Sequence, residues 1–167
     1  MGMEQIISNM TACKKLRELN TTVNMQGTKV AHKMASENSF EGIIPFEVMK
    51  IADDDGWSVA HQLAFSKHFR PELFKKEILE IRDLQGKSVA QILAERMQEG
   101  DTVPKELLDK DILTLQDIKG WSVAHELAGK CLLTEENVPK SVLNLKNFIG
   151  ISVRDNLKTA NAVCMER

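Results

Sequence analysis

The stretch Asp53–Ala64, DDDGWSVAHQLA, and the stretch Asp117–Ala128, DIKGWSVAHELA, are the same phrase written twice, and a looser form of it occurs three more times. The anchor is a glycine: Gly27, Gly56, Gly86, Gly120 and Gly150. Three residues before each stands Asn24, Asp53, Asp83, Asp117 or Asn147, and three residues after each stands Val30, Val59, Val89, Val123 or Val153. Two places after the glycine comes Ser58, Ser88, Ser122 or Ser152, with Lys29 in the first unit. Four places after comes Ala31, Ala60, Ala90 or Ala124, with Arg154 in the last. A phrase returning about every 30 residues is the mark of stacked supersecondary units, each unable to bury its apolar face alone.

Each unit carries its own start signal for a helix. A serine just before an apolar run can accept a hydrogen bond from a free N–H of the first turn, and the Asp or Asn and Gly before it suit a tight turn. Val59, Ala60, Leu63 and Ala64 then fall on one stripe at helical period, with Gln62 pointing away. Leu93, Leu127 and Leu157 repeat the Leu63 position, and Met34 takes it in the first unit. A second, regular helix is expected before each turn, from Leu73, Phe74, Ile78, Leu79 and Ile81 and their counterparts Leu107, Leu108, Ile112, Leu113 and Leu115. Pro71 and Pro104 would open these helices. Pro45 and Pro139 stand nearer their glycines, so the outer helices are expected to begin a turn later.

The ends read as caps. An amphipathic pattern over 3–19 (Ile6, Ile7, Met10, Leu16, Leu19) makes residues 1–22 an N-terminal capping helix, residues 23–149 the units, and residues 150–167 a C-terminal capping unit with Arg154 and Asp155 in place of the usual Ala and His. The expectation is one domain over 1–167, all-α, a right-handed-type α-solenoid of about five stacked helix-turn-helix units of roughly 30 residues.

Bulk composition narrows the function. Hydrophobic residues make up 43% and charged residues 28%, as in ordinary folded proteins. A net charge of −2 without a basic stripe gives no pull toward nucleic acid, and no apolar run reaches membrane-spanning length. Cys13, Cys131 and Cys164 are odd in number and without a CxxC pair, which reads as three reduced thiols and a cytoplasmic location. There is no GxSxG, glycine-rich phosphate loop or HExxH motif, and no tyrosine, so neither an enzyme nor a cofactor is expected. His32, His61 and His125 recur far apart at one position, filled by Gln91 and Asp155 in the other units. That spacing does not make a metal site.

The phrase resembles that of the ankyrin repeat, DxxGxTPLHxAA, with Ser for Thr, Val-Ala for Pro-Leu, and His32, His61 and His125 at the family's histidine. The likeness covers about twelve residues of each unit. It implies helix pairs stacked in an array, a structural hydrogen-bonding role for the histidines, and protein binding rather than catalysis. The chain lacks the family's GADVNA turn, and Leu79 to Gly86 leaves little room for a hairpin, so short or absent β-hairpin fingers are expected.

In that family the residue after the turn glycine varies and faces the binding surface. Here it is Thr28, Trp57, Lys87, Trp121 or Ile151. Trp57, Lys87 and Trp121, supported by exposed Gln62 and Glu126, are therefore the candidate partner-binding residues, while indoles packed over the adjacent turn are the other reading. Asp53, Asp54 and Asp55 form either an acidic rim or a solvated turn. The expected role is a non-enzymatic protein-interaction module, a monomer or weak homo-oligomer. The alternative is a self-associating structural subunit without a separate client.

Overall fold

The computed structural model describes residues 14–165. Residues 14–19 are helical, and nine α-helices follow: α1 (Val30–Ser36), α2 (Phe46–Met49), α3 (Val59–Phe65), α4 (Lys76–Leu79), α5 (Val89–Arg96), α6 (Lys110–Leu113), α7 (Val123–Gly129), α8 (Lys140–Leu143) and α9 (Val153–Met165). The fold is all-α, with no sheet among the described residues. Residues 1–13 of the proposed N-terminal capping helix, and residues 166–167, lie outside the described residues.

The conserved geometry of each unit begins at the Asp or Asn. Asp53 Oδ1 accepts from the N–H groups of Asp55 and Trp57, at 3.0 and 2.9 Å. Asp117 does the same for Lys119 and Trp121, both at 2.9 Å, as do Asp83, Asn24 and Asn147. One side-chain oxygen thus satisfies two loop donors, and the glycine between them sits at positive φ, +77° at Gly56. Because asparagine serves in two units, the turn needs the acceptor and not the charge. Asp117→Asn is expected to leave the unfolding free energy within about 0.5 kcal/mol of the parent, while Asp117→Ala, orphaning two N–H groups, is expected to cost about 2 kcal/mol in urea denaturation. Equal losses would sink this account.

A single bridge closes each turn: Thr22 with Lys29, Ala52 with Ser58, Arg82 with Ser88, Gln116 with Ser122, and Lys146 with Ser152. The finger is therefore one bridge long. The closing serine then caps the next helix, its hydroxyl accepting from His61, Gln91, His125 or Asp155 N–H.

The stripe written in the sequence is the core face. Val59 and Ala60 are 0% exposed and Leu63 and Ala64 1%, with Leu127 and Leu157 at 0% and 2%. Each helix after a turn packs on its counterpart in the next unit, α1 on α3, α3 on α5, α5 on α7 and α7 on α9. Phe69 and Leu93 join the two halves of the core, which extends from Leu19 to Leu157.

The preceding helices are shorter than expected. Instead of one regular helix opened by Pro71 or Pro104, the chain forms a 3₁₀ turn (Pro71–Leu73, Lys105–Leu108) and then the single α-turn of α4 or α6. The break follows from extended residues between the pieces, Lys75 at ψ 141° and Asp109 at ψ 135°. Asp109 leaves the helix to cap α6, accepting from Asp111 N–H at 2.9 Å. In the outer units Pro45 and Pro139 precede α2 and α8, so the α-turn holds one register relative to the glycine in all four units. The longer spacing between Gly86 and Gly120 is absorbed between Met97 and Pro104.

Candidate functional site

Neighbouring units are tied by two kinds of rung. The first is backbone and runs from the second unit onward: Leu84 N–H donates to Asp55 C=O, Ile118 to Gln85 and Phe148 to Lys119, each at 3.0 Å. The second runs through the histidine position. His61 Nδ1 accepts from Ser58 N–H at 3.1 Å, and its Nε2 meets the Lys87 carbonyl, in the next unit, at 3.0 Å. His32 reaches the Trp57 carbonyl at 2.7 Å and His125 that of Ile151 at 3.1 Å. An acceptor on Nδ1 and a carbonyl at Nε2 define the neutral Nε2–H tautomer. Gln91 reproduces this chemistry, Oε1 accepting from Ser88 N–H and Nε2 donating to Trp121 C=O at 2.8 Å. Burial holds all three imidazoles below their ordinary pKa, against the opposing pull of the carbonyl bonds.

Trp57 and Trp121 rest on these rungs. The Trp57 ring lies 5.1 Å from His61 at 32°, and Trp121 lies 5.0 Å from His125 at 30°. Both indoles are half-buried, so each packs on its rung and also presents surface. Their N–H groups find the candidate flanking residues: Trp57 Nε1 donates to Gln62 Oε1 at 3.2 Å, and Trp121 bonds to the Glu126 side chain. Gln62 and Glu126 are consequently half-buried, not exposed as the helical pattern suggested. Burial, with Glu95 nearby, raises the Glu126 pKa above the ordinary carboxylate value. Lys87 pairs with Glu95 at 2.6 Å.

The structure adds residues that sequence reasoning left out. Phe65 stands edge-on to Trp57 at 6.0 Å, is 48% exposed, and carries the Arg96 guanidinium 5.0 Å from its ring centroid. Lys130 Nζ donates to the Met97 carbonyl at 2.8 Å and also to that of Glu95. Beside Trp121 opens a cleft of about 580 Å³ with Met97, Lys130, Asn156 and Val163 in its wall. Trp57, Phe65, Arg96, Lys87, Glu95, Lys130 and Trp121 therefore form one connected surface across three units. Phe65 and Arg96 were legible as exposed positions of their helices, but their pairing joins successive units.

No cluster of three or more His, Cys, Asp or Glu side chains able to hold a metal is present among the described residues, and no described helix is long and apolar enough to cross a membrane. Cys131 is disulfide-bonded, which overturns the expectation of three free thiols. No family model matches this chain, and no curated protein matches its sequence.

Proposed function

We propose that the chain is a non-enzymatic protein-interaction module, an ankyrin-like α-solenoid that binds a protein partner through the surface carrying Trp57, Lys87 and Trp121. One observation carries the reading. The position after each turn glycine varies between Trp, Lys, Thr and Ile while its neighbours are nearly constant, and its two tryptophans sit half-exposed on a rigid row of rungs. Half-exposed aromatics backed by packed structure are the usual anchors of protein interfaces. The packing of consecutive helices and turns supports the array. With Cys131 disulfide-bonded, thiol chemistry does not argue for a reducing cytosol.

The test is capture of partners from a lysate, followed by affinity measurement on the recovered complex. Substituting Trp57 and Trp121 together by alanine is expected to keep the helical circular dichroism and weaken binding at least ~30-fold, since each anchor is worth about 2 kcal/mol or more. Loss of helicity would assign the indoles to packing alone. A parent protein that captures nothing and forms concentration-dependent oligomers in light scattering would favour the self-associating subunit.

A further inference from the structure

The tips of the turns carry side chains that a water-facing turn does not call for. Two places before the glycine stand Met25, Asp54, Leu84, Ile118 and Phe148, and the four apolar ones are 97%, 69%, 54% and 77% exposed. Turns ordinarily use Gly, Pro, Asn, Asp or Ser. The backbone rungs from Leu84, Ile118 and Phe148 N–H to the preceding turn set these three tips side by side. Two of the side chains are also seated: Leu84 Cγ lies 3.0 Å, and Phe148 Cδ1 2.8 Å, from where a Cβ on Gly56 or Gly120 would stand. The result is an ordered apolar ridge across the units, interrupted at the second by Asp54. Exposed apolar residues scattered singly are unremarkable, but a connected row of them marks an interaction surface.

The residue beside each tip adds a charge pattern. In order these are Gln26, Asp55, Gln85, Lys119 and Ile149, so one acid and one base stand a single unit to either side of Leu84. Both are exposed, and among the described residues neither forms an ion pair within the chain. Reversed in direction and laid against itself about Leu84, the ridge complements itself. Leu84 meets Leu84, Met25 meets Phe148 and Asp55 meets Lys119, while Asp54 falls opposite Ile118, next to that lysine, and Gln26 opposite Ile149. Other alignments fail. A two-fold axis at the second or fourth turn sets Asp55 on Asp55 or Lys119 on Lys119, as does any parallel pairing, and like charges across an interface repel. An axis between the third and fourth turns sets Asp55 against apolar Ile149, and one between the second and third leaves Phe148 uncovered.

We propose that the tip ridge is a dimer interface, occupied by a second copy of this chain running antiparallel about Leu84. A two-fold interface requires one patch to complement itself, and this ridge does so in apolar contact and in charge. Two residues at each of five tips fall short of the roughly 20–30 residues a side of a standard interface, so the dimer is weak and exchanges with monomer. The ridge lies before each turn glycine and the tryptophan row after it, so the two surfaces are distinct. Pairing would present two tryptophan rows together, raising avidity for a partner that repeats its own epitope.

Sedimentation velocity on the full chain, with free thiols alkylated so that no dimer is covalent, is expected to show reversible dimerisation over a concentration series reaching about 1 mM. Leu84→Ser, which acts on both sides of the axis, is expected to weaken the dimer at least about ten-fold. Asp55→Lys and Lys119→Glu are each expected to weaken it at least about five-fold, and an equimolar mixture of the two to recover the parent's affinity, since opposite charges then face each other across the mixed pair. All three change exposed side chains and are expected to keep the parent's circular dichroism. A parent that stays monomeric throughout would overturn the proposal, including the case in which the ridge serves a different protein. So would a dimer indifferent to Leu84→Ser, or a mixture no tighter than its separate components. Alanine at Trp57 and Trp121 together is expected to leave the dimer unchanged while weakening partner capture, so either reading can fail without the other. Loss of the dimer in that variant would overturn the assignment to the tips.

Discussion

Gly56→Ala is expected to lower the unfolding free energy by about 3 kcal/mol, and Gly150→Ala by only about 1 kcal/mol. Both glycines sit at positive φ, +77° and +85°, so both substitutions carry the left-handed backbone penalty. At Gly56 the added methyl would also stand 2.7 Å from Leu84 N and 3.2 Å from Asp83 C. Those are backbone atoms of the following turn, pinned by the Leu84 to Asp55 rung, and they cannot swing aside. At Gly150 nothing lies within 4 Å. Chemical denaturation of the two variants separates conformational strain from close approach, and equal losses would show that the contact between turns contributes nothing.

Stability is expected to fall as the pH drops below about 6.5, the ordinary imidazole value, toward the lower pKa of the folded histidines. The sign follows from linkage. His32, His61 and His125 are depressed in the folded state, so below that pH the unfolded chain binds more protons and is favoured. The stabilisation is complete above the unfolded pKa and is lost as the folded pKa is approached. Protonation would also turn Nδ1 from acceptor into donor, setting its N–H against Ser58 N–H or its counterparts. Each histidine can contribute a slope of at most about 1.4 kcal/mol per pH unit, reached only between its unfolded and folded pKa values. Glu126, pushed upward by burial, acts in the opposite sense, but in the carboxylate range. His61→Gln with His125→Gln, imitating Gln91, should cut the slope to about a third. An unchanged slope in that variant would refute the assignment.

Local features were legible in the sequence because their physics is local. The Asp or Asn to glycine spacing, the capping serines and the Val, Ala, Leu stripe each involve residues within one turn and the helix after it, and the structure places them as the pattern implied, except that Val30, Met34 and Leu93 are only half-buried and Ile92 is buried beside Leu93. The break after Phe74 and Leu108 was partly readable, since Asp109 is a natural helix cap. Lys75, which makes no such bond, gave no warning. What could not be read were the rungs, because Nε2 of His61 meets a carbonyl 26 residues further on. For the same reason the candidate surface was legible position by position, as Trp57, Lys87 and Trp121, but not the Phe65 to Arg96 contact that connects it, nor the burial that draws Gln62 and Glu126 inward. The disulfide at Cys131 was invisible to spacing arguments.

The rungs also determine where the chain tolerates added length. Turns bonded tip to tip and helices packed in register leave no slack between a glycine and the end of its helix. The connection from Met97 to Pro104 has already taken up extra residues, and Gly100 within it has open space around it at φ +89°. Gly100 is the natural insertion point for a fluorophore or an epitope, because a graft there lies past the Met97–Glu99 stretch that walls the Trp121 cleft and leaves the stacking of units unaltered.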